Sequence, residues 1–579
     1  MLVIGFLLSV VGLFAAVVLF PKSKVRLPLM PYLVVSCLLS LCMQVLTAGV
    51  LQLVHVGISL MSMMIVNLLC AVLCLIGVHK KGRQRYTVKA LDVLSVLLIA
   101  AMTAVFGIWR YGKDLHIFSA SVDDAMHARY ARTVALEHRF SMNLYFTSLI
   151  EGLMMQVYMA LTGKGAFDAN AMYVLGEILF AGLGALIFWA LLRVRSKEES
   201  GLFLLLPLLL TPLYWAGYPL YSTLFGFAYL GLVICLLALL LILLDGMMRE
   251  KLSWGFGILS LNLVLYGVFV SYTLFVPTAF FGTFLALCVY MKKHTEKLVS
   301  LPNILTMLKV FLVPSVLGML YSYVDLKAIS PGGLISWSGG CYNDLYSNFI
   351  LPLPLACIGI YFLVHKREGT YLFPVLSVQL LLTLGMLIGM IRGGVSIYYY
   401  SKNNSALWLF VWLLVAEGIY GMMAQTVKAI LFPALFYGML FMGKIGDKWI
   451  EEATPAQAVY RVESSAFNDL ILLNSVYMMI PTEMDADTMA LYRYVDENLR
   501  EQELVQMNGI LQSVWYTTLT GQENNLMLGG LEELQHEVDT GAEWICACYT
   551  SDAYRECEAY LDGFALIYEN SAGRILHVR

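Results

Sequence analysis

The stretch Ser121-Val122-Asp123-Asp124-Ala125-Met126-His127-Ala128-Arg129-Tyr130-Ala131-Arg132 gathers the side chains best suited to chemistry. No proline or glycine interrupts Ala120–Phe140, which predicts a helix there. On a helix His127 follows Asp123 and Asp124 by one turn, so its imidazole can face either carboxylate. Two adjacent carboxylates can act as a general base on an acceptor hydroxyl. They can also hold a divalent cation. The plain alternative is a helix N-terminus, where aspartate is favoured as a cap and by the dipole.

A second group of candidates is cationic. Arg392 and Lys402 flank Tyr398, Tyr399 and Tyr400. A guanidinium grips phosphate oxygens bidentately, whereas lysine acts as a point charge. Tyrosine suits stacking on a sugar, and equally an interfacial belt, where Tyr and Lys are ordinary anchors. Arg110 and Lys113 offer the same charge, while Arg129 and Arg132 pair with Glu137 or lie in solvent. Glu177 and Glu417 stand inside apolar runs, where a carboxylate is a functional candidate by default. Glu177 lies near an outer end and can reach the interface. Glu417 is deeper, and no partner for it is evident in sequence. Ser330-Pro331-Gly332-Gly333 and Ser338-Gly339-Gly340 do not lead from a strand into a helix, so no phosphate-binding fingerprint is present. They suit a mobile cover or plain turns.

These residues must be positioned by a membrane protein. The chain has 579 residues, 60% hydrophobic, 13% charged and 13% aromatic, with mean hydropathy +0.75. Apolar runs long enough to cross a bilayer open at Met1–Phe20, which lacks a basic leader and reads as a signal-anchor with its N-terminus outside. They continue at Leu29–Val50, Gly57–Val78, Leu91–Trp109, Ala171–Leu192, Leu202–Tyr218, Leu220–Leu244, Trp254–Val270, Leu274–Met291, Leu305–Tyr321, Phe349–Val364, Leu372–Ile391, Leu407–Met423 and Lys428–Met442. The expectation is an α-helical polytopic membrane protein of about 12–14 transmembrane helices. Lys and Arg crowd alternate short loops, for example Lys80–Lys89 and Arg193–Lys197. The positive-inside rule then places Arg110–Asn170, Ser322–Asn348, Arg392–Ala406 and the C-terminal tail outside. Asn143–Leu161 is apolar but broken by Glu151 and Gln156. A further crossing there would invert every later loop, so the expectation is a helix along the interface.

The tail differs in kind. From Lys444 it carries 8 Lys/Arg and 23 Asp/Glu, a net of −15, against +12 for residues 1–443. Such charge disfavours nucleic acid. Strand and helix periods alternate there: helices at Ala486–Leu499, Gln512–Leu519 and Ala553–Leu561, strands at Leu504–Met507, Trp544–Cys548, Phe564–Tyr568 and Ile575–Val578. A small α/β extracytoplasmic domain over 444–579 is expected, beside a membrane domain over 1–443. Of eleven cysteines, none shows zinc-ligand spacing. Cys546, Cys548 and Cys557 suit buried packing, or a disulfide in an oxidising compartment.

A span leading out, then a loop in which Asp123-Asp124 opens a helix with His127 and Tyr130, resembles the GT-C superfamily of polyprenyl-phosphate-sugar-dependent glycosyltransferases. The apolar helix Asn143–Leu161 and the span after it stand where that superfamily has them. Ser396-Ile397-Tyr398-Tyr399-Tyr400-Ser401-Lys402, and Trp515-Tyr516 with Leu519-Thr520-Gly521, look like segments of bacterial relatives. Three extra spans precede the core. The resemblance implies a GT-C-like fold in the plasma membrane, a lipid-linked sugar donor and an extracytoplasmic acceptor in the cell envelope. It implies an inverting displacement with an Asp base, taken here as Asp123 with Asp124 and His127 beside it. Such a donor carries phosphate, and by residue type Arg392, Lys402, Tyr399, Arg110 and Glu177 are the candidates toward substrate. The acidic pair could hold a divalent cation, and no cofactor is certain. The alternatives are a transporter or flippase of lipid-linked saccharides, or an inactive scaffold of envelope assembly. A transporter more often shows repeated halves, and no internal repeat is evident.

Overall fold

The computed structural model describes residues 1–20, 25–78, 88–119, 122–140, 146–196, 202–224, 226–295, 297–326, 349, 352–366, 371–422, 482–522 and 530–578. In hydrocarbon a backbone has no partner but its own carbonyls, so uncharged apolar runs become helices. The chain begins with α1 (Leu2–Leu19), α2 (Leu29–Leu53), α3 (Leu60–Val78) and α4 (Ala90–Tyr111). A short strand β1 (Phe118–Ser119) leads into α5 (Val122–Glu137), α6 (Phe146–Thr162) and the long α7 (Ala166–Arg195). Next come α8 (Leu202–Trp215), α9 (Tyr218–Leu224), α10 (Ala228–Met248), α11 (Trp254–Ser271) and α12 (Val276–His294). The bundle continues through α13 (Leu301–Leu326), α14 (Leu353–Lys366), α15 (Leu372–Ile391) and α16 (Ile397–Met422).

Among the described residues ten helices are long and apolar enough to cross a membrane, and three shorter apolar helices accompany them. These cover every expected span except Lys428–Met442, which lies outside the described residues. The apolar window of α10 is 94% buried and that of α7 78%, against 17% for α13. Helices α7 and α10 therefore form the centre, and α13 presents its leucines and valines outward. Close approach uses small residues. A Cβ on Gly359 of α14 would stand 1.9 Å from the Leu414 carbonyl oxygen of α16.

Three expectations are corrected. The loop drawn from Arg392 to Ala406 is helical from Ile397. Its polar run is buried inside the bundle, where Asn403 Nδ2 donates to the Tyr400 carbonyl at 3.2 Å and Gln379 Nε2 donates to Asn403 Oδ1 at 3.3 Å. The span drawn from Leu220 breaks at Gly226, so α9 and α10 are separate. Arg193 and Arg195, counted as loop cations, end α7 in buried ion pairs. Arg193 Nε meets Asp92 at 2.7 Å, and Arg195 meets Asp245 at 3.1 Å and Glu417 at 2.6 Å. Glu417 thus has a partner, and its charge is compensated within the bundle.

The interrupted segment forms α6, which packs across α5 and α7. Gln156 is accommodated by donating to the carbonyls of Ile58 and Val134, both at 3.0 Å.

The described part of the tail opens with β2 (Thr482–Glu483) and α17 (Ala486–Asn498), the latter capped by Asp485. It continues as β3 (Leu504–Met507), α18 (Ile510–Thr520), α19 (Leu531–Asp539), β4 (Trp544–Cys548), α20 (Tyr554–Leu561), β5 (Ala565–Asn570) and β6 (Gly573–His577). The sheet order is β3-β4-β6-β5, with β3 and β4 parallel and the other pairs antiparallel. Alternation along β4 sends Ile545 and Ala547 to the α19–α20 face, and Cys546 and Cys548 to the α17–α18 face. Cys546, Cys548 and Cys557 are buried and free of disulfides. Strand β2 pairs antiparallel with β1, and Met484 N donates to the Ile117 carbonyl at 3.0 Å. The tail and the loop carrying Asp123 therefore share one end of the bundle.

Candidate functional site

Helix α5 begins at Val122, so Asp123 and Asp124 fall in its first turn, as the sequence predicts. Neighbouring helical side chains diverge by about 100°, and the two carboxylates enter different surroundings.

Asp123 faces α16. The Tyr398 hydroxyl donates toward its Oδ2 across 3.5 Å. Burial raises its proton affinity above the usual carboxylate range, while the Lys402 charge and the Tyr398 hydrogen bond pull it back. Lys402 is only 6% exposed, although the sequence placed it on an outside loop as a phosphate-binding cation. Its Nζ donates to the Tyr229 hydroxyl at 3.0 Å. It also lies 4.1 Å from the ring centre of Tyr398, 4.9 Å from Phe227, and 5.2 Å from both Tyr272 and Tyr399. A buried ammonium needs such compensation, and ring faces supply part of it. Asp123, Lys402 and Tyr399 are thus brought together.

His127 is also buried. Its ring packs on Tyr229 at 4.9 Å and on Tyr130 at 5.6 Å. Burial, then the Lys402 charge, lower its pKa to about 3. The imidazole is therefore neutral at physiological pH, and serves as a polar wall rather than a cation.

Asp124 turns the other way, toward α7. Its Oδ1 accepts from the Tyr173 hydroxyl at 2.7 Å. Its backbone abuts the turn between α9 and α10, where a Cβ on Gly226 would stand 2.5 Å from the Asp124 Cα. Two more buried carboxyl groups lie near, Glu151 of α6 and Glu177 of α7; a Cβ on Gly176, the residue before Glu177, would stand 2.6 Å from the Glu151 Cγ. Glu151 is 1% exposed. Its oxygens find no hydrogen-bond partner among the described residues. Burial, then Asp124, push its proton affinity well up. Glu177 follows Tyr173, the partner of Asp124, by one turn of α7. Arg110 ends α4 beside Tyr111, which senses Arg110, Asp124 and Glu177 together. Arg392 caps α15 and is exposed. Among the described residues no hydrogen bond or ion pair joins it to Asp123 or Lys402.

Sequence reasoning missed Phe227, Tyr229 and Tyr272. Phe227 and Tyr229 lie inside the span drawn from Leu220 to Leu244, where an aromatic reads as apolar filling, and Tyr272 lies between two spans, where it reads as an anchor. The break at Gly226 was the available signal. The glycine-rich segments at 330–333 and 338–340 lie outside the described residues. No group of three or more His, Cys, Asp or Glu side chains among the described residues is disposed to hold a metal ion. Compared with known proteins, the chain matches no family model and no curated sequence.

Proposed function

We propose that the chain is an integral-membrane glycosyltransferase. It moves a sugar from a polyprenyl-phosphate donor to an extracytoplasmic acceptor of the cell envelope, in the plasma membrane. The observation that carries this reading is that Tyr398 joins the two groups, its hydroxyl 3.5 Å from Asp123 Oδ2 and its ring 4.1 Å from Lys402 Nζ, among further tyrosines at one end of the bundle. A lipid phosphate needs a cation, a sugar ring needs flat aromatic walls, and an attacking hydroxyl needs a base. All three lie within one cluster.

In the transfer, the acceptor oxygen attacks the anomeric carbon as its proton passes to Asp123. The carbon–oxygen bond to phosphate breaks, and the electron pair leaves with the polyprenyl phosphate. Lys402 balances the charge of that departing phosphate. Attack opposite the leaving group inverts the anomeric centre. His127, neutral, packs on Tyr229, whose hydroxyl accepts from Lys402. Asp124, held by Tyr173, fixes the first turn of α5 and orients the acceptor. The charge register supports an outward-facing site, because the loops at the other ends of the spans hold the basic residues.

The test is turnover with a panel of polyprenyl-phosphate sugars in nanodiscs. The reading predicts glycosidic product of inverted configuration with at least one donor. Absence of product from every donor, with the chain folded, contradicts it.

A second reading has one observation in its favour. Glu151 and Glu177 are carboxyl groups buried between helices, a feature of proton-coupled carriers. Transport of a lipid-linked saccharide across proteoliposomes, without glycosidic product, would favour that alternative.

A further inference from the structure

We propose that the C-terminal domain is part of the site, with α18 holding the helix that carries Asp123 and with Arg132, Thr518 and Trp515 as positioning residues. The kinetic consequence rests on the glycosyltransferase reading; the structural one does not.

A helix C-terminus leaves its last carbonyls without donors and carries partial negative charge. Helix α18 ends at Gly521, whose φ of +76° is the left-handed closure that glycine permits. Its last carbonyls turn onto Arg132 of α5. Arg132 Nη1 donates to the Thr518 carbonyl at 2.9 Å and also to the Leu519 carbonyl. Arg132 is buried, and burial lowers its pKa, opposed by the Asp496 charge on α17. A guanidinium in that position needs oxygen partners, and the tail provides them from 386 residues away.

The grip is reciprocal and reaches the acidic pair. Thr518 Oγ1 donates to the carbonyl of Ala125, the residue after Asp124, at 2.8 Å. Trp515, one turn earlier on α18, meets the Tyr173 ring edge-on at 6.4 Å. Tyr173 in turn holds Asp124. Ahead of α5 the β1–β2 pairing fixes the approach of the chain. Beyond it, Arg493 of α17 pairs with Asp168 at the start of α7 at 2.7 Å. Helix α5 is therefore held before its first turn, beside the acidic pair and again at Arg132, each time by the tail. A misplacement of about 1 Å can cost on the order of 10²-fold in rate, so a domain that sets the height of α5 sets the reach of Asp123.

The experiment uses the full chain in nanodiscs, with Arg132→Gln and the milder Thr518→Val. Hydrogen exchange is followed across α5, and initial rates are measured against donor concentration. The expected result is faster exchange in α5, with β4 and β6 still protected, showing that the tail itself remains folded. Turnover should fall by about tenfold or more while donor KM holds, since Lys402 is untouched and only placement of the base changes. Unchanged exchange in α5 in both variants overturns the proposal, whatever the rates do. Loosened α5 with undiminished turnover overturns the positioning role. An unmutated chain inactive on every donor, with α5 loosened in the variants, supports the grip and sinks the transferase reading.

Discussion

Lys402 and Asp123 act on one another, which makes their variants predictable in two directions. On the proposed transferase reading, Lys402→Gln removes a charge-assisted contact to donor phosphate, a loss of roughly 1.5–3 kcal/mol. Donor KM should rise about tenfold or more. The same substitution removes a charge that lowers the Asp123 pKa. A base works only when ionised, so activity is lost as pH falls through that pKa. The acidic limb of the rate profile should therefore move to higher pH in Lys402→Gln; a limb that stays put would separate the two residues. His127 gives a stability test. Its folded pKa of about 3 lies below the ordinary 6.5, so the unfolded chain takes up the proton first. Its contribution is fully present above about pH 6.5 and is lost as pH falls, by about 1.4 kcal/mol per unit through the window. His127→Phe should flatten the acid side of a melting-temperature profile, and an unaltered slope would contradict the assignment.

Helix α5 is placed by its neighbours, and the α9–α10 turn is the tightest of them. Gly226 has φ +69° and leaves no room for a Cβ against Asp124. Gly226→Ala should cost roughly 1–2 kcal/mol from backbone alone, and more from displacing α5. Melting temperature and turnover should fall together, and retention of both would show that the turn does not set the acidic pair. Local periodicity made most elements legible. The Trp544–Cys548 strand and the Ala486–Leu499 helix were evident because their apolar positions repeat at two and at three to four residues. Helix α19 escaped because it buries only Leu534 and Val538. Strands β1 and β2 escaped because each is two residues long and finds its partner at the far end of the sequence. Polar residues misled where the bundle satisfies them internally: Asn403 read as loop, and Glu417 read as alone. Of the site, Asp123, Lys402 and Tyr399 were legible by residue type. The separation of Asp124 from Asp123, and the enclosing Tyr229 and Tyr272, depend on packing between distant helices that no local pattern encodes.

At the scale of the whole molecule, the loop bearing Asp123 and the C-terminal domain lie at the same end. Reporter fusions at Gly112 and Arg579 should therefore agree; the proposed orientation predicts an extracytoplasmic readout for both and a cytoplasmic one at Ser196. Disagreement between Gly112 and Arg579 would contradict the shared end itself. The transferase reading is decided at Asp123. Asp123→Asn keeps shape and hydrogen-bonding reach but cannot accept a proton. Initial rates at saturating donor, beside a thermal-stability control, should fall by about 10²–10⁴-fold in a chain that still melts cooperatively. Near-full turnover in Asp123→Asn would remove the base from the mechanism and return the acidic pair to the role of a helix cap.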